Sequence, residues 1–98
     1  MKGYVLAEVE VTDPAEYEKY RPLAAAAIAK FGGRYLVRGG AVDSVEGDVP
    51  PQRLVLLEFD TPARARAWYH SPEYQAAKAL RERAARSRVL LLNGHDPG

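Results

Sequence analysis

The chain has 98 residues, with 14 Lys+Arg against 13 Asp+Glu, 47% hydrophobic residues and no cysteine. That length allows one domain and one thin core. The missing cysteine excludes disulfides, thiolate catalysis, Cys-ligated zinc and iron–sulfur clusters. A formal charge of +1 argues against electrostatically driven binding to nucleic acid or an anionic membrane.

The elements follow in chain order. Lys2 to Val11 reads as a strand, because Val5, Ala7, Val9 and Val11 alternate with Tyr4, Leu6, Glu8 and Glu10. Glu8 and Glu10 cut the apolar stretch too short for a signal peptide, no run is long enough to span a bilayer, and a cytoplasmic address is expected. Asp13-Pro14-Ala15-Glu16 is a helix start, and Gly32-Gly33 a stop. Pro22 is expected to kink or split this helix near Tyr20. Gly33 to Arg38 is the second strand, which Gly39-Gly40 bends and Ala41 to Val45 is expected to continue. After a polar loop from Glu46 to Pro51 comes the strand Arg53 to Phe59. Thr61-Pro62 opens a second helix that breaks at His70, restarts at Ser71-Pro72-Glu73 and runs through Ala85. Ser87 to Asn93 is the last strand.

The order β-α-β-β-α-β predicts an α+β, ferredoxin-like sandwich, a four-stranded antiparallel sheet with the helices on one face. Residues 1–94 form the expected single domain, and 95–98 a tail expected to fray. Apolar residues occupy both faces of two strands: Leu54 and Leu56 back Val55, Leu57 and Phe59, and Leu90 and Leu92 back Val89 and Leu91. A solvated face should be polar at alternate positions, so a second copy of the chain is expected to cover the helix-free face, making a dimeric α+β barrel. With the first and third strands taken as parallel neighbours, Glu8 and Glu58 come close on that face. They then serve either in catalysis or in structural ion pairs, with Arg34 and Arg38 as candidate partners.

One family combines these features. Tyr4, Asp13-Pro14, Tyr17, Tyr20, Gly32-Gly33-Arg34-Tyr35, Arg38-Gly39-Gly40, Glu46-Gly47, Arg53, Glu58-Phe59, Trp68-Tyr69, Ser71-Pro72-Glu73-Tyr74 and Arg81 stand in an order that resembles the uncharacterised bacterial family called domain of unknown function 1330. The resemblance covers nearly the whole chain and implies a ferredoxin-like homodimer of the barrel class, with no established activity. Barrels of that class include cofactor-free monooxygenases, isomerases and haem-degrading enzymes, an analogy of fold that transfers no residues. His70 departs from the Asp or Asn expected there, which counts against a family-wide catalytic histidine.

Candidate site residues follow from their chemistry. Histidine is the side chain suited to proton transfer near neutral pH, so His70, with Glu58, is the candidate catalytic acid–base. Arg38 offers a guanidinium to a small organic anion. Glu8, Tyr35, Trp68, Ser71 and Tyr74 complete the candidate substrate-binding set. Each has a plainer reading: Ser71 as a helix cap, Trp68 as core, His70 as an exposed helix end, and Tyr17, Tyr20 and Tyr35 as amphipathic packing. Glu46 and Arg53 are expected to pair across the hairpin, and the Arg81, Arg83, Arg86 and Arg88 stretch to be a solvated face. His70 and His95 share no ligand spacing, so no metal is expected, and no other cofactor either. The strand Arg53 to Phe59 lacks the stacking aromatics of an RNA reader. The expected function is cofactor-independent catalysis on a small organic acid or aromatic, by proton transfer, isomerisation or oxygenation. The alternative is a non-catalytic ligand-binding or accessory dimer.

Overall fold

A computed structural model describes residues 1–97; Gly98, the end of the expected tail, lies outside the described residues. The elements are β1 (Gly3–Val11), α1 (Pro14–Lys30), β2 (Arg34–Arg38), β3 (Arg53–Phe59), α2 (Pro62–His70), α3 (Pro72–Ala84) and β4 (Ala85–Asn93). The sheet has the order β2-β3-β1-β4, and each neighbouring pair is antiparallel. This is the ferredoxin-like α+β arrangement.

Each helix begins where its sequence provides a cap. Asp13, Thr61 and Ser71 accept the backbone N–H of Glu16, Arg64 and Tyr74, and a proline follows each cap. The cap at Ser71 separates α2 from α3, as the sequence predicts. Pro22, by contrast, does not split α1, which runs unbroken through it. The carbonyl that Pro22 leaves without an intrahelical donor belongs to Glu18, and both residues are exposed, so water can satisfy it.

Three other expectations are corrected. The right-handed crossover through α1 returns β2 parallel to β1, and the β2–β3 hairpin then reverses the chain. The first and third strands are therefore antiparallel, with Tyr4 opposite Glu58 and Glu8 opposite Leu54. Glu8 and Glu58 share a face but stand four residues apart along it, about 13 Å at strand rise, and do not meet. Finally, β2 ends at Arg38 instead of continuing to Val45, because Gly39 turns into the left-handed region at φ 72°.

The core lies between one sheet face and the helices. Val5, Leu57 and Phe59 meet Ala24, Ala27 and Ile28 of α1, Ala65 and Trp68 of α2, and Tyr74 and Ala77 of α3. The small alanines let the helices sit low on the sheet, and Phe59, Trp68 and Tyr74 fill the volume. Gly33 belongs to the same packing: a Cβ there would stand 2.5 Å from the Phe59 ring. On the other face Leu6, Leu54, Leu56 and Leu90 remain half-buried, and Leu92 is 40% exposed. Among the described residues no helix is long and apolar enough to cross a membrane.

Candidate functional site

Alternation along the strands decides what each face offers. Glu58, Glu8 and Arg34 point to the helix-free face, and Tyr35, Arg38, Arg53, Val55 and Leu57 to the helix face. Glu58 is held there by Arg34, whose Nε donates to Oε1 at 2.7 Å, and by the Tyr4 hydroxyl, which donates to Oε2 at 3.0 Å. These bonds, Arg34's first, keep the Glu58 carboxyl below the usual carboxylate range against the opposing effect of desolvation. Glu58 is thus a fixed carboxylate at neutral pH and a poor proton donor. Glu8 pairs separately, with Arg88 Nε at 3.1 Å across β1 and β4. His70 is exposed at the end of α2, its ring edge-on to Tyr69.

The helix face carries a cleft between sheet and helices. It is small: the centres of water-sized molecules have about 40 Å³ in which to move. Tyr35, Arg38, Arg53, Trp68, Tyr74 and Arg81 supply its functional groups, with valine, alanine, isoleucine and leucine between them. The structure therefore brings together four residues singled out from sequence, Tyr35, Arg38, Trp68 and Tyr74. Ser71 stays outside the lining as the cap of α3, where its buried hydroxyl accepts from Tyr74 N at 3.1 Å and donates to Trp68 O at 2.7 Å. With its proton so engaged, Ser71 is structural.

The electrostatics of the cleft are one-sided. No Asp, Glu or His lines it, and among the described residues Arg38, Arg53 and Arg81 form no ion pair, whereas Arg21 at its edge is tied to Glu18 at 3.2 Å. Arg81 is only 7% exposed. Three buried N–H groups have no hydrogen-bond partner in the chain, Arg53 Nε, Trp68 Nε1 and Arg81 Nε, and all three residues line this cleft. Each such donor costs about 1–3 kcal/mol when buried unpaired, more for a charged group. The tyrosines cannot balance the charge. Burial pushes the Tyr20 and Tyr74 phenols up, with Arg81 acting in the opposite direction on each. Burial likewise raises Tyr35, against Arg38. All three stay neutral hydroxyls at pH 7, and those of Tyr20 and Tyr74 are 2.9 Å apart. The cleft is lined by positive charge and aromatic rings, with no carboxylate to oppose the charge.

Arg53 and Arg81 were missed as site residues from sequence, although each carried a signal. Arg53 shares the inward register with Val55, Leu57 and Phe59, and it turns into the cleft, 5.8 Å from the Tyr17 ring centre, rather than pairing with exposed Glu46. Arg81 falls on the buried stripe Tyr74, Ala77, Arg81, Ala84 of α3. If Arg81 is kept for an anion and not for the fold, Arg81→Met should leave the ligand-free protein at least as stable as the parent. By comparison with buried charges replaced by hydrophobes of similar size, the gain is up to about 2 kcal/mol in a urea titration. A loss of about 3 kcal/mol or more would mean that Arg81 is paired within the chain.

Comparisons with known proteins agree with this fold. No curated protein matches the chain. A Rhodopseudomonas palustris protein of unknown function superposes with a TM-score of 0.78 at 18% identity, covering 98% of this chain and 84% of that one. A dimeric ferredoxin-like protein of unknown function from Jannaschia sp. CCS1 follows at 0.67 and 16%, covering 96% and 100%. SnoaB, a cofactor-independent oxygenase from Streptomyces nogalater, superposes at 0.65 and 13%, covering 97% and 94%. At these identities the similarity is one of fold. The family described as Domain of unknown function (DUF1330) matches residues 2–95, and this chain belongs to it.

Proposed function

We propose that the chain binds a small organic acid in the cleft between sheet and helices and holds its ionised form. The carrying observation is that three residues with unpartnered buried N–H donors, two of them guanidinium groups, line one cleft that has no carboxylate. Guanidinium groups stay protonated at any physiological pH, so the compensating charge must come from the ligand. The aromatic rings of Trp68 and Tyr74, 4.2 Å between centres and tilted by 40°, give the cleft an aromatic wall.

Catalysis in such a site consists of stabilising an oxyanion. A phenol or enol that releases its O–H proton to solvent leaves charge on oxygen, and preorganised N–H donors in a site with little water stabilise that charge. This supports cofactor-independent chemistry on an aromatic or enolisable acid, and the structural neighbour SnoaB is itself described as a cofactor-independent oxygenase. In this reading Arg81 and Trp68 hold the oxyanion, and Arg38, Arg53, Tyr35 and Tyr74 bound the ligand. Neither Glu58 nor His70 lines the cleft, so proton transfer is assigned to solvent.

The reading is tested with 4-nitrophenol, whose phenol and phenolate absorb at different wavelengths. The bound probe should ionise about one pH unit or more below the free probe. Arg81→Met should abolish that shift, and an unchanged or raised value in the parent would contradict the reading.

The working unit in this proposal is a homodimer formed through the helix-free face. Leu6, Leu54, Leu56 and Leu90 sit there half-buried in one chain, and completing the burial of a leucine is worth up to about 1.5–3 kcal/mol. The dimeric Jannaschia neighbour supports the assignment. Light scattering should give twice the 10.8 kDa chain mass, and Leu56→Lys, a charge in the middle of that face, should give monomers. A monomeric parent would overturn it.

A further inference from the structure

The cleft's positive charge is divided between two places. At the outer one, exposed Arg38 lies with Cζ 4.3 Å over the Tyr35 ring centre. Arg53 is beside it, because Gly39, the residue after Arg38, has no Cβ; one built there would run into the Arg53 guanidinium. Gly39 is thus the flat seat that lets Arg53 cross the end of β2 and still turn Nε inward. At the inner place Arg81 comes from α3 to line the cleft with Trp68 and Tyr74. Aromatic rings connect the two: Arg53 to Tyr17 at 5.8 Å, Tyr17 to Tyr20 at 5.3 Å, and Tyr20 to Tyr74 at 6.4 Å.

Three guanidinium charges without a carboxylate among the lining residues exceed what one anion can balance. A monocarboxylate held by Arg81 leaves Arg38 and Arg53 unmatched, and one held at the mouth leaves Arg81 buried and unmatched. We infer that the ligand is a compact dianion, a dicarboxylate with a flat aromatic or conjugated body, with one acidic group at Arg81 and Trp68 and the other at Arg38 and Arg53. The inference rests on the anion-site reading above and adds the ligand class to it. Its physical basis is that charge-assisted hydrogen bonds from arginine to carboxylate are the strong ones, and two of them at fixed separation select for length as well as charge.

Calorimetric titration of the full chain with benzoate, isophthalate and terephthalate at one ionic strength tests this. The better of the two dicarboxylates should bind about tenfold or more tightly than benzoate, equivalent to about 1.4 kcal/mol. Arg38→Gln, a change at an exposed position, should narrow that preference to about twofold, and the circular dichroism of the variant should match the parent. Benzoate binding as tightly as both dicarboxylates would overturn the dianion while leaving the anion site standing. No binding of any of the three would overturn both. A preference that survives Arg38→Gln would overturn the two-place arrangement.

Discussion

Arg81 places a permanent charge on the buried stripe of a helix. Its guanidinium cannot be discharged within the physiological range, and among the described residues no carboxylate pairs with it. Histidine or lysine at such a position would lose its proton and become neutral. Arginine has no such escape, so its charge needs neighbours that tolerate it or an anion from outside. The cleft provides both, through the hydroxyls of Tyr20 and Tyr74 and an opening toward solvent.

The rest of the fold can be traced from that requirement. Alanines at 24, 27, 65 and 77 bring the helices close to the sheet, and the rings of Phe59, Trp68 and Tyr74 fill the core between them. Ser71 caps α3 and fixes the direction from which Arg81 enters. Gly39 gives room to Arg53, and the left-handed turn at the same residue ends β2, so the strand edge and the cleft mouth are set by one residue. On the helix-free face Arg34 and Arg88 are paired with Glu58 and Glu8. Arg38, Arg53 and Arg81, which line the cleft, carry no such partner.

Strand alternation and helix caps made most of this architecture legible in the sequence. Val5, Val9 and the Val55–Phe59 register named the core face, and Asp13, Thr61 and Ser71 named the helix starts, because these are local effects that a few residues decide. Pro22 does not split α1, because the cost of proline in a helix depends on whether the carbonyl it leaves without a donor can reach water, which tertiary structure sets. The relation of Glu8 to Glu58 misled for a similar reason, since register across two strands is not contained in either. The site was half legible. Tyr35, Arg38, Trp68 and Tyr74 stood out by type, whereas Arg53 and Arg81 were assigned to a hairpin ion pair and a solvated face. The usable signal was positional: an arginine in an otherwise apolar period is turned toward the core, and it needs a reason to be there.

The central claim is that Arg81 and Trp68 present their N–H groups to one anion. The most direct test is a proton–nitrogen NMR titration with benzoate that follows the arginine Nε–H signals and the indole N–H, which is unambiguous because the chain has one tryptophan. The account predicts that the indole signal of Trp68 and the Nε–H signal of Arg81 move together and saturate with one dissociation constant. Signals that stay in place, or that move separately and without saturation, would contradict it.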